Sequence, residues 1–507
     1  MNTKATPVSS NHLSAAAEAE ASRLSRKIVV DGKLQSAITK EIFEVENPAD
    51  EKIVGEAPRC SDADVKRAVE SAQVAFRSWR RVPARERGNI LRRIADALEK
   101  DGENLARLLA LETGNAIATQ ARPEIVGMVE MFRYFAGIAT EIKGTTVPWS
   151  DDDLVCTLRE PLGVVGAIIP WNAPLFLTGA KVGPALAAGN TIVIKAAEQA
   201  PLAVLRCLEI MQEFLPRGVA NFVSGYGEEA GKPLAEHPNV RKISFTGSCA
   251  TGRMILHYAA DKFCPVTLEL GGKSPNIIMQ DADIELAASG ILTGMRFTRQ
   301  GQSCSAGSRI YIHNDIYDRV IQRAVDLIGR LRIGSPLDES TQVGALISKE
   351  QYDRVLHYLK LAKDAPNARI LCGGGRPTGS GFEKGYFLEP TLIEGISCSS
   401  VVSRDEIFGP VATVYRWNSF DEVLAEANDT DFGLAATIWT SDLGAAMTFV
   451  REINAGFVQV NQFITPRAGL SYGGMKASGM GRENTLESVI EHFTTSKTVM
   501  VHGIPRH

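Results

Sequence analysis

Between residues 164 and 270 the chain repeats one unit, a short run of β-branched and apolar residues followed by a stretch with helical spacing. The runs lie at 164–169, 191–195, 220–223, 242–245 and 266–270, with helices expected at 175–188, 201–214, 227–236 and 251–260. Strands apolar on both faces, each followed by a helix, predict a parallel sheet covered on both sides and joined by right-handed crossovers. Ligands of such sheets bind at the carboxyl ends of the strands. The loops after Ile169, Lys195, Val223, Phe245 and Leu270 are therefore expected to share one edge.

At 507 residues the chain is too long for one hydrophobic core, and a second βα series runs from Gly271 to about Gly474, with strands at 309–312, 411–415 and 457–460. Ahead of the repeat, turn signals at Asp31-Gly32 and Asn47-Pro48 separate short strands. Helical spacing follows at 61–79, 85–98, 103–112 and 123–142. The segment 146–159 has strand character at 154–158 and polar flanks, and is expected to project from the body. The tail at 493–501 reads as a last strand that would pair with the Leu154 segment of another subunit. Residues 1–26 are Ser/Ala-rich, carry Glu18 and Glu20 and lack an apolar h-region, so they read as a loose extension or frayed helix and not as a secretory signal.

A net charge of -4 with both signs interspersed gives phosphate backbones no basic stripe, so no nucleic-acid partner is expected. The longest apolar stretch, 162–180, is broken by Pro170, Asn172 and Pro174, and no membrane partner is expected. The eight cysteines are scattered, with no CxxC pair and no zinc-ligand spacing to histidine. That pattern predicts neither a disulfide framework nor a metal site, and a reducing, cytoplasmic location.

Each loop on the expected edge carries residues with a chemical and a bland reading. Cys304 lies in FTRQGQSCSAGSR among small residues, either as a thiol placed to react or as one more small buried residue. Asn172, held between Pro170 and Pro174, either donates to a developing oxyanion or caps the next helix. Lys195 and Glu198 either hold a ribose, with the carboxylate repelling a 2′-phosphate, or form a solvated pair. Gly225-Tyr226-Gly227-Glu228-Glu229-Ala230 meets the G-x-G-x-x-A dinucleotide pattern, which ordinary turn chemistry also produces. In FTGSCATG, Ser248 would cap a helix whose free N–H groups face an anion, with Gly252 allowing close helix–strand packing. Glu269 sits inside the apolar Leu-Glu-Leu run, either as a general base with a raised pKa or as a strand-end surface carboxylate.

Together these segments resemble the NAD(P)-dependent aldehyde dehydrogenase superfamily, from about residue 28 to 501. The motifs PWNAPL, AAGNTIVIKAAEQAPL, FTGSCATG, LELGGKSPN, GQSCSAGSR, EIFGPV, NDTDFGLAATIWT, YGGMKASGMGRE and EHFTTSKTV occur in that order. The resemblance implies an α/β fold: a Rossmann-like parallel-sheet cofactor domain, a second α/β catalytic domain and a small β oligomerisation extension. It divides the chain into a flexible extension (1–26), an NAD-binding domain (27–142 and 161–270), a catalytic domain (271–480) and bridging segments (143–160 and 487–507).

By the same resemblance Cys304 is the nucleophile, Glu269 the general base, Asn172 with the Cys304 N–H the oxyanion hole, and Lys181 a lysine near the oxyanion and cofactor. Lys195 and Glu198 would contact the adenosine ribose, Ser248 the pyrophosphate, Glu406 the nicotinamide ribose and Phe408 its ring. Ile168, Trp171, Gly227, Gly231, Phe245, Gly247 and Leu270 would complete the cofactor surface. The implied activity is NAD-dependent oxidation of an aldehyde through a cysteine thioester, with NADP the weaker cofactor, in a homodimer or homotetramer. Two alternatives are a relative that passes the thioester to coenzyme A and a non-catalytic member of the fold. Departures from the pattern are Ala173 for a bulky aromatic, Ala180 for tryptophan, Ala196 for proline, and Ser471-Tyr472 for Pro-Phe. The first two suggest room for bulky aldehydes, and Arg299 and Arg467 flank the implied tunnel either as anion contacts or as plain surface arginines.

Overall fold

In the computed structural model, which describes residues 10–503, the five predicted runs form the parallel core of an eight-stranded sheet. Its parallel order is Ala220–Val223, Thr191–Ala196, Val164–Ile169, Val240–Thr246 and Val266–Glu269. The first strand in sequence is thus central, and chain progression reverses beside it, which opens a crevice at the carboxyl ends of Val164–Ile169 and Val240–Thr246. Antiparallel strands close both edges: Lys27–Val30 and Lys33–Ser36 on one side, Gly479–Met480 on the other.

The strands are buried on both faces, which explains the absence of apolar–polar alternation. The helix Pro174–Ala187 is buried around most of its circumference because Arg122–Ile138 and then Ala84–Lys100 pack outside it. Two buried glutamates from this helical layer finish helices of the repeat. Glu112 accepts from the N–H groups of Leu202 and Ala203 at 2.8 and 2.9 Å, and Glu124 from those of Leu175 and Phe176 at 2.9 and 3.4 Å. Each satisfies donors that the first turn of a helix leaves unpaired.

The second series forms a seven-stranded sheet in which only the edge strand Arg369–Cys372 is antiparallel. A third, three-stranded antiparallel sheet projects from the body, as expected for the 146–159 segment. It joins Thr146–Ser150, Asp153–Pro161 and Thr494–His502.

Three expectations change. The last strand pairs with the Leu154 segment of its own chain, in register from Thr494 opposite Pro161 to His502 opposite Asp153. The helix Leu486–His492 anchors it, with Val489 and Phe493 buried in the first core. Of the two readings of the N-terminal segment the helix holds for residues 10–24, but it is packed and not frayed, with Ala17, Ala21 and Leu24, spaced four and three apart, buried. Residues 1–9 and 504–507 of the expected flexible and bridging segments lie outside the described residues. Gly479–Met480, expected at the end of the catalytic domain, belongs to the first sheet. Long-range pairing of this kind leaves no local signal. No helix among the described residues is long and apolar enough to cross a membrane.

Candidate active site

Between the two large sheets lies a cleft of about 910 Å³, lined from the first unit by the 170–173, 246–248 and 269–271 loops and from the second by Arg296, Cys304, Glu406, Phe408 and Tyr472. The glycines of LELGGK make the joint. A Cβ at Gly272 would stand 2.4 Å from the Cys304 carbonyl, so that position admits no side chain, and one at Gly271 would stand 2.2 Å from Glu406 Oε2 and displace its carboxylate. The Gly272 N–H donates to Glu406 Oε1 at 2.9 Å. One Gly-Gly pair therefore fixes both the cysteine loop and the Glu406 loop.

Cys304 is half-buried at the floor of this cleft, with Sγ 3.6 Å from the Tyr472 hydroxyl. Burial pushes its thiol up to about 11; the Tyr472 hydrogen bond opposes this, and the Glu406 and Glu269 carboxyls add to it. Its backbone N–H donates to no protein acceptor among the described residues. Asn172 Nδ2 donates to the Gln302 carbonyl at 3.0 Å, which ties the Pro170–Pro174 loop to the cysteine loop and leaves the second amide hydrogen free. Asn172 is not the helix cap of the bland reading; Glu124 fills that role.

Glu269 is 3% exposed and neither carboxyl oxygen has a hydrogen-bond partner. Burial first, and repulsion from Glu483 second, hold its carboxyl well above the usual range, against Lys181 and Arg482. A buried carboxyl without protein partners and with a raised pKa is suited to proton transfer. Lys181 lies just behind the wall, fully buried, with Nζ 2.9 Å from Glu483 Oε1 and 3.1 Å from Ser244 Oγ.

At the other end, Ser248 caps the helix Cys249–Ala260 by accepting from the Thr251 N–H at 3.2 Å. A Cβ at Gly252 would meet Leu270 at 2.8 Å, the close packing expected there. Trp171 and Phe408 meet edge to face at 5.2 Å, and Gly247 and Leu270 line the same wall. Burial lifts the Glu406 carboxyl to about 7.

The other predicted cofactor residues stand outside the lining of this cleft. Lys195 Nζ donates to Glu198 Oε2 at 3.1 Å on the next strand end. Gly227 and Gly231 bound a single π-helical turn where an added Cβ would meet nothing, so backbone is open to close approach. Ile168 is half-buried on its strand, while Phe245 is buried and packs against Gly247. These features suit a dinucleotide: a capped helix terminus for a pyrophosphate, a lysine–glutamate pair for a ribose, and a carboxylate with two aromatic rings for the far end.

Four residues of the site were not legible beforehand. Tyr472 stood out only as a departure from Pro-Phe. Glu483, Arg296 and Glu124 carried no local motif, since their significance is the partner that each finds, or lacks, across the fold. Of the two substrate-side alanines, Ala173 lines the cleft, whereas Ala180 is buried outside it.

Residues 35–499 match the Aldehyde dehydrogenase family. The chain is 40% identical to retinal dehydrogenase 2 of Homo sapiens over 480 residues, which cover 94% of this chain and 91% of that protein. Its fold superposes on the NAD+ complex of aldehyde dehydrogenase from Bacillus cereus with a TM-score of 0.91 at 39% identity, covering 94% and 96% of the two chains. It superposes equally on PnpE from Pseudomonas sp. WBC-3 in complex with nicotinamide adenine dinucleotide, with a TM-score of 0.92 at 39% identity over 95% and 98%. With six of its nine motifs lining one interdomain cleft and a family match across nearly its whole length, the chain belongs to the aldehyde dehydrogenase family.

Proposed function

We propose that this chain performs the NAD-dependent oxidation of an aldehyde to its carboxylic acid with Cys304 as nucleophile. The observation that carries the assignment is one cleft holding a thiol, a buried carboxyl without partners, a free backbone N–H and an amide with one free hydrogen. The Cys304 sulfur bonds to the carbonyl carbon while the thiol proton passes to Glu269, and the carbonyl π pair becomes an oxyanion. The Cys304 N–H and the Asn172 amide hold that charge; losing one such donor costs about 3 kcal/mol in the transition state. The dinucleotide, when bound, accepts the hydride that the tetrahedral carbon releases. Cys304 is left as a thioester; Glu269 releases the thiol proton to solvent and then removes a proton from the water that attacks the thioester. The acid leaves and the sulfur regains a proton.

Glu406 and Phe408 would orient the nicotinamide end, Ser248 and the helix behind it would hold the pyrophosphate, and Lys195 and Glu198 would hold the adenosine ribose. Complexes of similar enzymes with NAD+ support that cofactor. The substrate is a small-molecule aldehyde. The eight unpaired cysteines support a reducing location, the cytoplasm. The apolar side chains exposed on the projecting sheet support a homodimer or homotetramer.

An aldehyde panel with purified protein and NAD, followed by NADH absorbance, tests the reading. Turnover is expected for the native chain and none for Cys304→Ala, which should still bind NAD. Retained turnover in that variant would remove Cys304 from its role.

A further inference from the structure

The cleft contains a cation that no protein group neutralises. Arg296 lines it on the side of the nucleophile, and its inner guanidinium nitrogen Nη2 is buried without a hydrogen-bond partner. No salt bridge reaches it among the described residues; its one aromatic contact is the Phe463 ring, 4.7 Å from the guanidinium carbon. Its backbone is left-handed at φ 58, a conformation that residues with a side chain adopt at a cost of about 1 kcal/mol or more. Strain and an unpaired buried cation together mark a residue kept for something outside the protein.

The neighbouring groups are already engaged. Arg299 is held by Glu124 at 3.6 Å, donates to Gln120 Oε1 at 2.9 Å and reaches the Asn172 carbonyl at 3.4 Å. It therefore braces the oxyanion loop instead of waiting for a ligand. Among the cleft carboxylates Glu483 is committed to Lys181, Glu406 to the Gly272 N–H and Glu124 to Arg299, and Glu269 makes no hydrogen bond, so none of these four pairs with Arg296. Burial, then the nearby Arg299, pull the Arg296 guanidinium down to about 10, while Tyr472 and Cys304 act in the opposite direction. The cation and the nucleophile thus share one chamber.

We propose that the physiological substrate is an aldehyde carrying a carboxylate remote from its carbonyl, and that Arg296 binds this carboxylate while Cys304 takes the carbonyl carbon. The inference rests on the reading of the cleft as an aldehyde-oxidising site. One unpaired guanidinium supplies one positive charge, which suits a monoanion, and its planar fork matches a carboxylate in a bidentate pair. With Nη2 buried, that pair would be stronger than one in water. Arg467, exposed among the lining residues, would draw anions toward the mouth. Oxidation of such a substrate yields a dicarboxylate.

The test compares kcat/KM for ω-carboxy aldehydes of stepped length and for 4-carboxybenzaldehyde, each against its neutral carboxamide. The best acid should exceed its amide by about 10- to 100-fold, the range of a charged hydrogen-bonded pair. In Arg296→Met the acid should fall at least about tenfold further than the amide, mainly through KM, and Arg296→Lys should restore part of the difference. Equal rates for acid and amide in the native enzyme would overturn the proposal. So would Arg296→Met slowing both by the same factor, which would make Arg296 a support for Phe463. A phosphorylated aldehyde outrunning every carboxylated one would overturn the monoanion assignment. If no aldehyde, charged or neutral, is oxidised, the reading of the cleft itself fails, so the two failures are separable.

Discussion

At pH 7 the Cys304 thiol keeps its proton. Burial, which pushes its pKa to about 11, favours the neutral thiol, so the proton must leave as the sulfur attacks. The residue that receives the proton must itself be ionised, and Glu269 holds its carboxyl well above the usual range because burial penalises its charge. The sign follows: turnover should rise as pH climbs through that raised pKa, since only the carboxylate can act as base. Glu269→Gln should abolish this rising limb and slow both the first, NADH-forming turnover and the steady-state rate, by some 10²- to 10⁴-fold, read by stopped-flow absorbance. An unaltered steady-state rate would take Glu269 out of deacylation. A second expectation concerns Glu198, whose carboxylate would meet a 2′-phosphate with like charge. NAD should exceed NADP in kcat/KM, and Glu198→Gln should narrow the gap, both measured under saturating aldehyde. Cys304, Asn172 and Glu269 were legible as residues because each sits at a strand or loop end with an unusual neighbour set. Tyr472 and Arg296 were not, because a 3.6 Å contact and a missing counter-ion are properties of the folded site.

Two helices of the first unit are started by carboxylates from elsewhere in the sequence, and this separates stability from activity. Glu112→Ala would leave the Leu202 and Ala203 N–H groups unpaired in the core and open a small void, at a cost of about 3 kcal/mol. The effect should appear as a lowered denaturation midpoint with kcat/KM unchanged, since no residue of Leu202–Met211 lines the cleft. Glu124→Ala removes the equivalent start of Pro174–Ala187 and also the partner of Arg299. There both the midpoint and kcat/KM should fall, because that helix carries the Asn172 loop at its head. Equal activity in the two variants would show that the oxyanion loop is held without Glu124. The strands themselves were legible to within a residue or two: Val164–Ile169, Ala220–Val223 and Phe457–Val460 lie where their β-branched runs placed them. Short apolar runs bounded by turns specify such strands locally. The π-helical turn at Gly227–Gly231, expected as plain helix, was not, because one extra residue in a turn leaves the apolar spacing almost unchanged.

The molecule as a whole presents apolar surface where a lone chain gains nothing from it. Trp149 is 67% exposed and Met500 60%, with Leu154 and Leu158 on the strand between them. The sheet they belong to is complete within one chain, yet its first and last strands, Thr146–Ser150 and Thr494–His502, are open edges. Open edges and exposed aromatic surface are features that proteins cover. The tail's partner was misread from the sequence because strand pairing across more than 300 residues depends on where the intervening helix Leu486–His492 docks, not on the strand's own composition. Its consequence differs too: since the tail closes its own sheet, association would add a sheet face or edge of one subunit to another, not exchange a strand. Light scattering coupled to size exclusion should therefore give two or four times the chain mass. Replacing Leu154 and Leu158 together by glutamate should release monomers whose far-UV circular dichroism is unchanged, because both side chains already face solvent in the isolated chain. A native protein that elutes as a monomer, or a double variant that keeps its mass, would mean that this sheet covers something other than a second copy.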